Sequence, residues 1–278
     1  MDLNVEIPEA GGNPVDLLAS ASGLSKSRIK LVMTRGAVWL TRSGKRRRLR
    51  RAKSSLNAGD QLSLWYNESI IDAVPPEPEQ LEDAGAWSVW FKPAGLLSSG
   101  SRYGDHCAIN RWVELNEDRP FFLVHRLDAQ TEGLMLLAHS KSAAAALSKS
   151  FSTRLVEKTY LAEVQGTFGY DAVTVSDSID GLSAETHIRR LQAGELSSLV
   201  ECRPVTGRKH QVRIHLAALG HPLSGDHLYG AQRRSRFRLT ASRLAFPHPE
   251  TGVPGVFTLP ERLSQFAGHT VNPEGPTR

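Results

Sequence analysis

The stretch His125-Arg126-Leu127-Asp128-Ala129-Gln130-Thr131-Glu132-Gly133 lies between two apolar runs, Phe121–Val124 and Leu134–Ala138. Short apolar runs separated by polar, Gly-bearing turns read as strands, so this segment is the turn between two of them. It sets the Asp128 carboxylate at the exposed end of a strand, held on both sides by regular structure, where a reactive group gains from rigid support. Further runs at Trp87–Phe91, Tyr160–Val164, Glu185–Leu191 and Leu199–Arg203 read the same way. Two segments after residue 86 read as helices: Ser140–Thr153 around Ala143–Leu147, and Lys209–Leu219, stopped by Gly220 and Pro222. Many strands with few helices between them predict an α+β domain on a mixed, largely antiparallel sheet. The second helix opens on another unusual cluster, Gly207-Arg208-Lys209-His210-Gln211-Val212-Arg213. The Asp128 turn is a weak signal by itself; paired with this cluster it points to a site.

The chain has 278 residues, 40% of them hydrophobic, enough for one large domain or a large and a small one. Met1–Ala10 carries three acids and no basic residue, unlike a secretory signal, and no apolar run approaches the roughly 20 residues of a membrane span. A soluble, cytoplasmic protein is expected. Cys107 and Cys202 are the only cysteines, too few for a disulfide framework or a thiolate zinc site. His210, His215, His221 and His227 match no standard ligand spacing, so no metal is expected.

The net charge of +5 conceals an asymmetry: Lys26–Lys53 holds twelve Lys or Arg and no Asp or Glu, leaving 22 basic against 29 acidic residues elsewhere. Cations so concentrated favour a polyanion, because binding releases the counterions that surround phosphates. Within this stretch Leu24–Gly36 reads as a helix with Ser25 as N-cap, Leu24 and Ile29 as a hydrophobic staple, and Gly36 as its stop. Ala37–Leu40 and Gly59–Tyr66 read as strands, with a turn at Arg42–Lys45. Residues 71–86 contain three prolines, five acids and no Lys or Arg, and predict a linker. The expected plan is therefore a small basic α/β domain over 1–70, an acidic Pro-rich linker over 71–86, a larger α+β domain over 87–270 and a flexible tail over 271–278.

Leu24, Ser25, Ser27, Arg28, Ile29, Lys30, Gly36, Val38, Leu56, Gly59 and Asp60 give the first domain a pattern that resembles the alpha-L RNA-binding motif. Where that motif often begins Arg-Leu-Asp, this chain has Val15 and Asp16 without the arginine. The resemblance and the charge together nominate Lys26, Arg28, Lys30, Arg35, Lys45, Arg46, Arg47 and Arg48 for RNA contact.

From Trp90 to about Phe266 the chain resembles the RluA-type pseudouridine synthases. Lys92-Pro93-Ala94-Gly95, His125–Asp128 with Thr131 and Gly133, Lys158-Thr159-Tyr160, and Gly207–His215 with His221, Pro222, Gly225, Asp226, Tyr229 and Gly230 match four signatures in order. The resemblance implies isomerisation of uridine to pseudouridine within RNA, without cofactor or metal. It implies Asp128 as the catalytic carboxylate, Arg213 as its ion-pair partner favouring the charged form, and Tyr160 as a ring stacked on the target uracil. Arg126 would lie beside the flipped base. The remaining substrate-binding residues expected are His125, Thr131, Arg208, His210, Gln211 and Leu239, with the two histidines orienting rather than exchanging protons. Arg233, Arg234, Arg236, Arg238 and Arg243 would extend the RNA surface.

The chain departs from this pattern twice. Glu132 stands where serine usually precedes the glycine, which would put an acid near the RNA path, and Thr240 replaces the histidine of a Leu-His-Ala stretch. The expected partner is structured RNA, ribosomal RNA ahead of tRNA, bound by a monomer. The rival reading is a non-catalytic RNA-binding or ribosome-assembly protein that keeps a synthase fold.

Overall fold

The computed structural model describes residues 1–9, 11–117, 119–230, 235–266 and 268. Arg233 and Arg234, and the tail expected over 271–278, lie outside the described residues. The chain divides into two compact units, one of Met1–Pro76 with Leu97–Asp118, the other of Glu77–Leu96 with the chain from Arg119 onward.

In the first unit β1 (Asp2–Glu6), α1 (Pro14–Ser22), α2 (Lys26–Thr34), β2 (Val38–Arg42), β3 (Lys45–Arg48), β4 (Gln61–Trp65) and α3 (Glu68–Asp72) follow one another, and α4 (Ile109–Asn116) comes from the later segment. The strands form an antiparallel sheet in the order β1-β4-β2-β3. Ser25 caps α2 as expected, accepting from the Arg28 N–H at 3.2 Å, and Ile29, Val32 and Met33 are buried against Leu18, Leu40 and Leu62. Ser43 and Gly44 both hold positive φ (48° and 74°), the backbone that a two-residue hairpin needs to match the strand twist. α1 was not foreseen. Its caps, Asn13 before Pro14 and Gly23 after Ser22, are clear, but Ala19 to Ser22 carry no apolar period.

The second unit is built from β5 (Glu79–Asp83), β6 (Trp87–Lys92), β7 (Phe122–Leu123), β8 (Glu132–Ala138), α5 (Lys141–Ser152), β9 (Glu157–Gln165), β10 (Ala172–Val175), β11 (Thr186–Gln192), β12 (Ser197–Pro204), α6 (Gln211–Ala218), β13 (Leu239–Pro247) and β14 (Pro254–Thr258). Its sheet runs β10-β11-β12-β9-β13-β8-β6-β5, with β14 beside β13 and β7 beside β8. Every pairing is antiparallel except β13 with β8, so the sheet is mixed and largely antiparallel, as the run of strands predicted. All seven residues of β8 are buried, which explains why its apolar run lacks the alternation of a half-exposed strand.

Two expectations need correction. Residues 71–86 are not an open linker, because they contain the end of α3 and β5, which pairs with β6 from Glu79↔Phe91 to Asp83↔Ser88. β5 is an edge strand, and its acids suit that place: they discourage pairing with another chain and take up ion pairs, Glu79 with Arg262 and Asp83 with Arg119 at 2.8 Å. The catalytic domain is also not continuous from residue 87. Segment Leu97–Asp118 belongs to the first unit, where Asp105 is buried between Arg48 (3.0 Å) and Arg50, and its N–H donates to the Arg35 carbonyl at 3.1 Å. Hydrophobic patterning contains no trace of ion pairs spanning such distances in sequence.

Candidate active site

Asp128 belongs to the connection from β7 to β8, and the connection is fastened at several points. His125 points inward: its ring stacks on Phe151 at 4.7 Å, and its Nε2 accepts the Leu136 N–H at 2.9 Å. Burial, with a smaller contribution from Lys158, pushes the His125 pKa down to about 3, so the ring stays neutral and serves as a strut. Leu127 is buried, Arg126 is exposed, and the Thr131 N–H closes the turn on the Asp128 carbonyl at 3.1 Å. The Ala129 carbonyl receives the Gly95 N–H (2.8 Å) and the Lys92 ammonium (3.4 Å). Lys92 is fully buried and also donates to the Pro93 and Leu96 carbonyls. Burial lowers its pKa to about 7, against the opposing pull of Asp128 and Glu132.

α6 brings the second cluster to this turn. Gln211 is an internal brace rather than a free amide: its carbonyl accepts from Thr206 Oγ1 (2.6 Å) and the Arg208 N–H (3.0 Å), and its NH2 donates to the Glu185 carbonyl (2.8 Å) and Thr186 Oγ1 (3.0 Å). His215 bonds Thr186 and the Asp177 carbonyl from the next turn of the helix. With α6 fixed in this way, Arg213 Nη1 reaches Asp128 Oδ2 at 3.2 Å, and His210 Nε2 lies 3.7 Å from the same oxygen. Asp128 is 29% exposed while Arg213 is only 9% exposed, so the carboxylate faces out from a buried cation. The other side of the guanidinium is held by Asp226, through Nε at 2.7 Å and Nη2 at 2.8 Å. Burial works against the Arg213 charge, but Asp226 and Asp128 together hold its pKa above the usual arginine value.

Strand register orders the rest. Cys202, Tyr160, Ala241, Gly133 and Lys92 pair successively across β12, β9, β13, β8 and β6, so their side chains share one face. Gly133 is obligatory here: its φ is 121°, and a Cβ would come 2.3 Å from the Ala241 carbonyl oxygen. Tyr160 is half-buried, and burial and the nearby Asp128 charge both raise its pKa, leaving a neutral phenol. Leu239 is buried in the same cluster as Tyr160, Val212 and Phe237. Arg208 lies at the surface, its Nε on the Ser183 carbonyl at 3.0 Å, and Thr131 is buried.

The two departures from the signature pattern meet each other. Glu132 and Thr240 pair across the parallel junction, one row away from Gly133 and Ala241 and so on the opposite face. The Thr240 hydroxyl donates to Glu132 Oε1 at 3.1 Å, Gln265 bonds both residues, and Arg236 lies 3.7 Å from Oε2. Glu132 is 5% exposed; it is an internal link between β8 and β13. Glu132→Ala should leave the buried Thr240 hydroxyl without its acceptor, costing about 1–3 kcal/mol and lowering the melting temperature by roughly 3–10 °C, with RNA affinity unchanged. Calorimetry and a binding titration check this; tighter RNA binding without a fall in Tm would restore the RNA-path reading.

The structure thus brings together Asp128, Arg213, His210 and, on the adjoining sheet face, Tyr160 and Leu239. It turns His125 and Gln211 inward. Sequence reasoning gave no role to Asp226, Tyr229 or Lys92, although all three stand inside the signatures it quoted. Among the described residues no group of three or more His, Cys, Asp or Glu is placed to hold a metal ion, and no helix is long and apolar enough to cross a membrane.

Residues 86–218 match the RNA pseudouridylate synthase family. The chain is 35% identical over 185 residues to the dual-specificity RNA pseudouridine synthase RluA of Vibrio parahaemolyticus, covering 58% of this chain and 74% of that protein. It is 29% identical over 301 aligned positions to the ribosomal large subunit pseudouridine synthase D of Neisseria meningitidis, covering 93% of this chain and 78% of the other. Among solved structures, human RNA pseudouridylate synthase domain containing 4 superposes with a TM-score of 0.56 at 26% identity, over 66% of this chain and 90% of that one. The corresponding human domain containing 1 gives 0.58 at 24% identity, over 73% and 94%.

Proposed function

We propose, from the premise that this chain belongs to the RNA pseudouridylate synthase family and is an isomerase acting on RNA, that Asp128 is the carboxylate around which the uridine is rearranged. The observation that carries this reading is the meeting of Asp128 with Arg213 at 3.2 Å, 85 residues apart in sequence. A half-open carboxylate backed by a buried guanidinium is equipped to act on a sugar or base brought to it, whether as nucleophile or as base. The rearrangement breaks the C1′–N1 bond, joins C1′ to C5 of the same uracil, removes the proton from C5 and leaves one on N1. Tyr160 offers its ring to a uracil taken out of its stack, an extrusion costing a few kcal/mol that aromatic contact offsets. Arg126, without a partner among the described residues, is free to meet a phosphate or fill the vacated space.

Ribosomal RNA is the proposed substrate, because the Neisseria relative matched over nearly the whole chain carries the large ribosomal subunit in its name. Lys30, Lys45, Arg46 and Arg47 of the first unit supply phosphate contacts. The test uses RNA tritiated at uracil C5, extracted from cells lacking the protein and separated into ribosomal and transfer fractions. Purified protein should release tritium to water from the ribosomal fraction. Release from neither fraction would refute the function, and release from tRNA alone would overturn the substrate.

A further inference from the structure

Both protein contacts to the Asp128 side chain fall on one oxygen. Arg213 Nη1 and His210 Nε2 approach Oδ2, while Oδ1 has no hydrogen-bond partner among the described residues. Each of these two groups is in turn held from the segment after α6. Asp226, 1% exposed, grips Arg213 through two hydrogen bonds, and the Tyr229 hydroxyl bonds His210 Nδ1 at 2.9 Å. The Tyr229 and Phe237 rings lie against the guanidinium, 5.1 and 5.3 Å from its central carbon.

The segment carrying Asp226 and Tyr229 is itself rigid. Gly225, at φ 76°, lets the Arg236–Phe237 backbone approach so closely that a Cβ would come 2.4 Å from the Arg236 carbonyl carbon. Asp226 Oδ1 also accepts the Leu228 N–H at 3.1 Å, and the Arg238 N–H donates to the Ser224 carbonyl. At the other end His210 occupies a left-handed backbone (φ 56°, ψ 19°) immediately before α6. That conformation is uncommon outside glycine and persists where surrounding structure enforces it. The enforcing contact in view is Tyr229, which with the phenol donating to Nδ1 leaves the remaining ring proton on Nε2, facing Asp128.

We propose that Asp226 and Tyr229 are positioning residues that hold Asp128 by Oδ2 through Arg213 and His210, so that Oδ1 is the oxygen presented to the substrate. This rests on the reading of Asp128 as the catalytic carboxylate. A group fixed by one oxygen can rotate little, and a displacement of about 1 Å at a reacting atom costs on the order of 100-fold in rate.

The test measures kcat and KM for tritium release from the same C5-tritiated cellular RNA, with wild type, Asp226→Asn, Tyr229→Phe and Asp128→Asn, alongside thermal melting. Asp226→Asn should lower kcat about 100-fold and Tyr229→Phe about 10-fold, each with KM within about threefold of wild type. A structural role alone would instead lower the melting temperature and, through the loss of folded protein, the apparent kcat at unchanged KM, so that normalising each rate to its folded fraction would restore the wild-type kcat. If Asp226→Asn does not fold, Tyr229→Phe decides. Wild-type kcat in the folded variants, or a loss confined to KM, overturns the proposal. Full activity in Asp128→Asn would overturn the underlying reading instead, which separates the two failures.

Discussion

Asp128→Asn is expected to reduce tritium release from uracil-labelled RNA by about 10⁴-fold or more, in the range seen when a group that reacts directly is removed. The substitution keeps the shape of the side chain and takes away its charge. Arg213 is not stranded by the change, because Asp226 still offers it two hydrogen bonds at 2.7 and 2.8 Å and buried charge remains matched by buried charge. The His125, Lys92 and Gly95 contacts that fasten the turn involve other groups than the Asp128 carboxylate. The variant should therefore fold, melt within a few degrees of wild type and bind RNA within about threefold, the pattern of an interaction made only in the transition state. Single-turnover assays with excess protein give the rate, and filter binding gives the affinity. Equal product from variant and wild type would mean that the uridine is rearranged without the Asp128 carboxylate.

What the sequence made legible here was local. The turn at Asp128, the Ala143–Leu147 core of α5 and the basic opening of α6 are all written in runs of fewer than a dozen residues. The long-range polar partners were not legible. Asp226 is an ordinary aspartate in the sequence, and its role exists only because Gly225 and the Arg236–Phe237 backbone close together beneath it. Glu132 and Thr240 stand in the sequence as two separate departures from the signature pattern; 108 residues apart, they share one hydrogen bond. β13 went unpredicted because Thr240, Ser242 and Arg243 interrupt its apolar pattern, although it is the strand that joins the two antiparallel halves of the sheet. β5 was read as linker because an edge strand is free to carry acids. In each case the deciding term was a pairing between distant segments, to which composition and periodicity are blind.

The same pairings change what the basic stretch should contribute to RNA binding. Twelve cations between Lys26 and Lys53 would, if all met phosphates, give log K against log salt a slope of roughly −8 to −11. Half of them are already engaged. Lys26 pairs with Asp16, Arg28 with Asp72, Arg42 with Asp60, and Arg48 and Arg50 with Asp105, while Arg35 donates to the Ala73 carbonyl. Lys30, Lys45, Arg46, Arg47, Arg51 and Lys53 have no ion-pair partner among the described residues, and Arg47, Arg51 and Lys53 line one cleft together with Arg48 and Arg50. Six free cations contribute a slope of about −4 to −5, a loss of roughly 300- to 2,000-fold in affinity between 50 and 200 mM salt. Replacing Arg47, Arg51 and Lys53 together with alanine should flatten the slope by about 2 to 3 and leave the melting temperature nearly unchanged, since none of the three is paired. Arg42→Ala should do the reverse, because it strips the buried Asp60 of its guanidinium and lowers the melting temperature while removing no free cation. Binding titrations of ribosomal RNA across a salt series, with calorimetry on the same variants, separate the two classes. A triple variant with the wild-type slope would mean that the cleft does not meet RNA, and the affinity would then have to come from Lys30, Lys45 and Arg46 or from the arginines of the second unit.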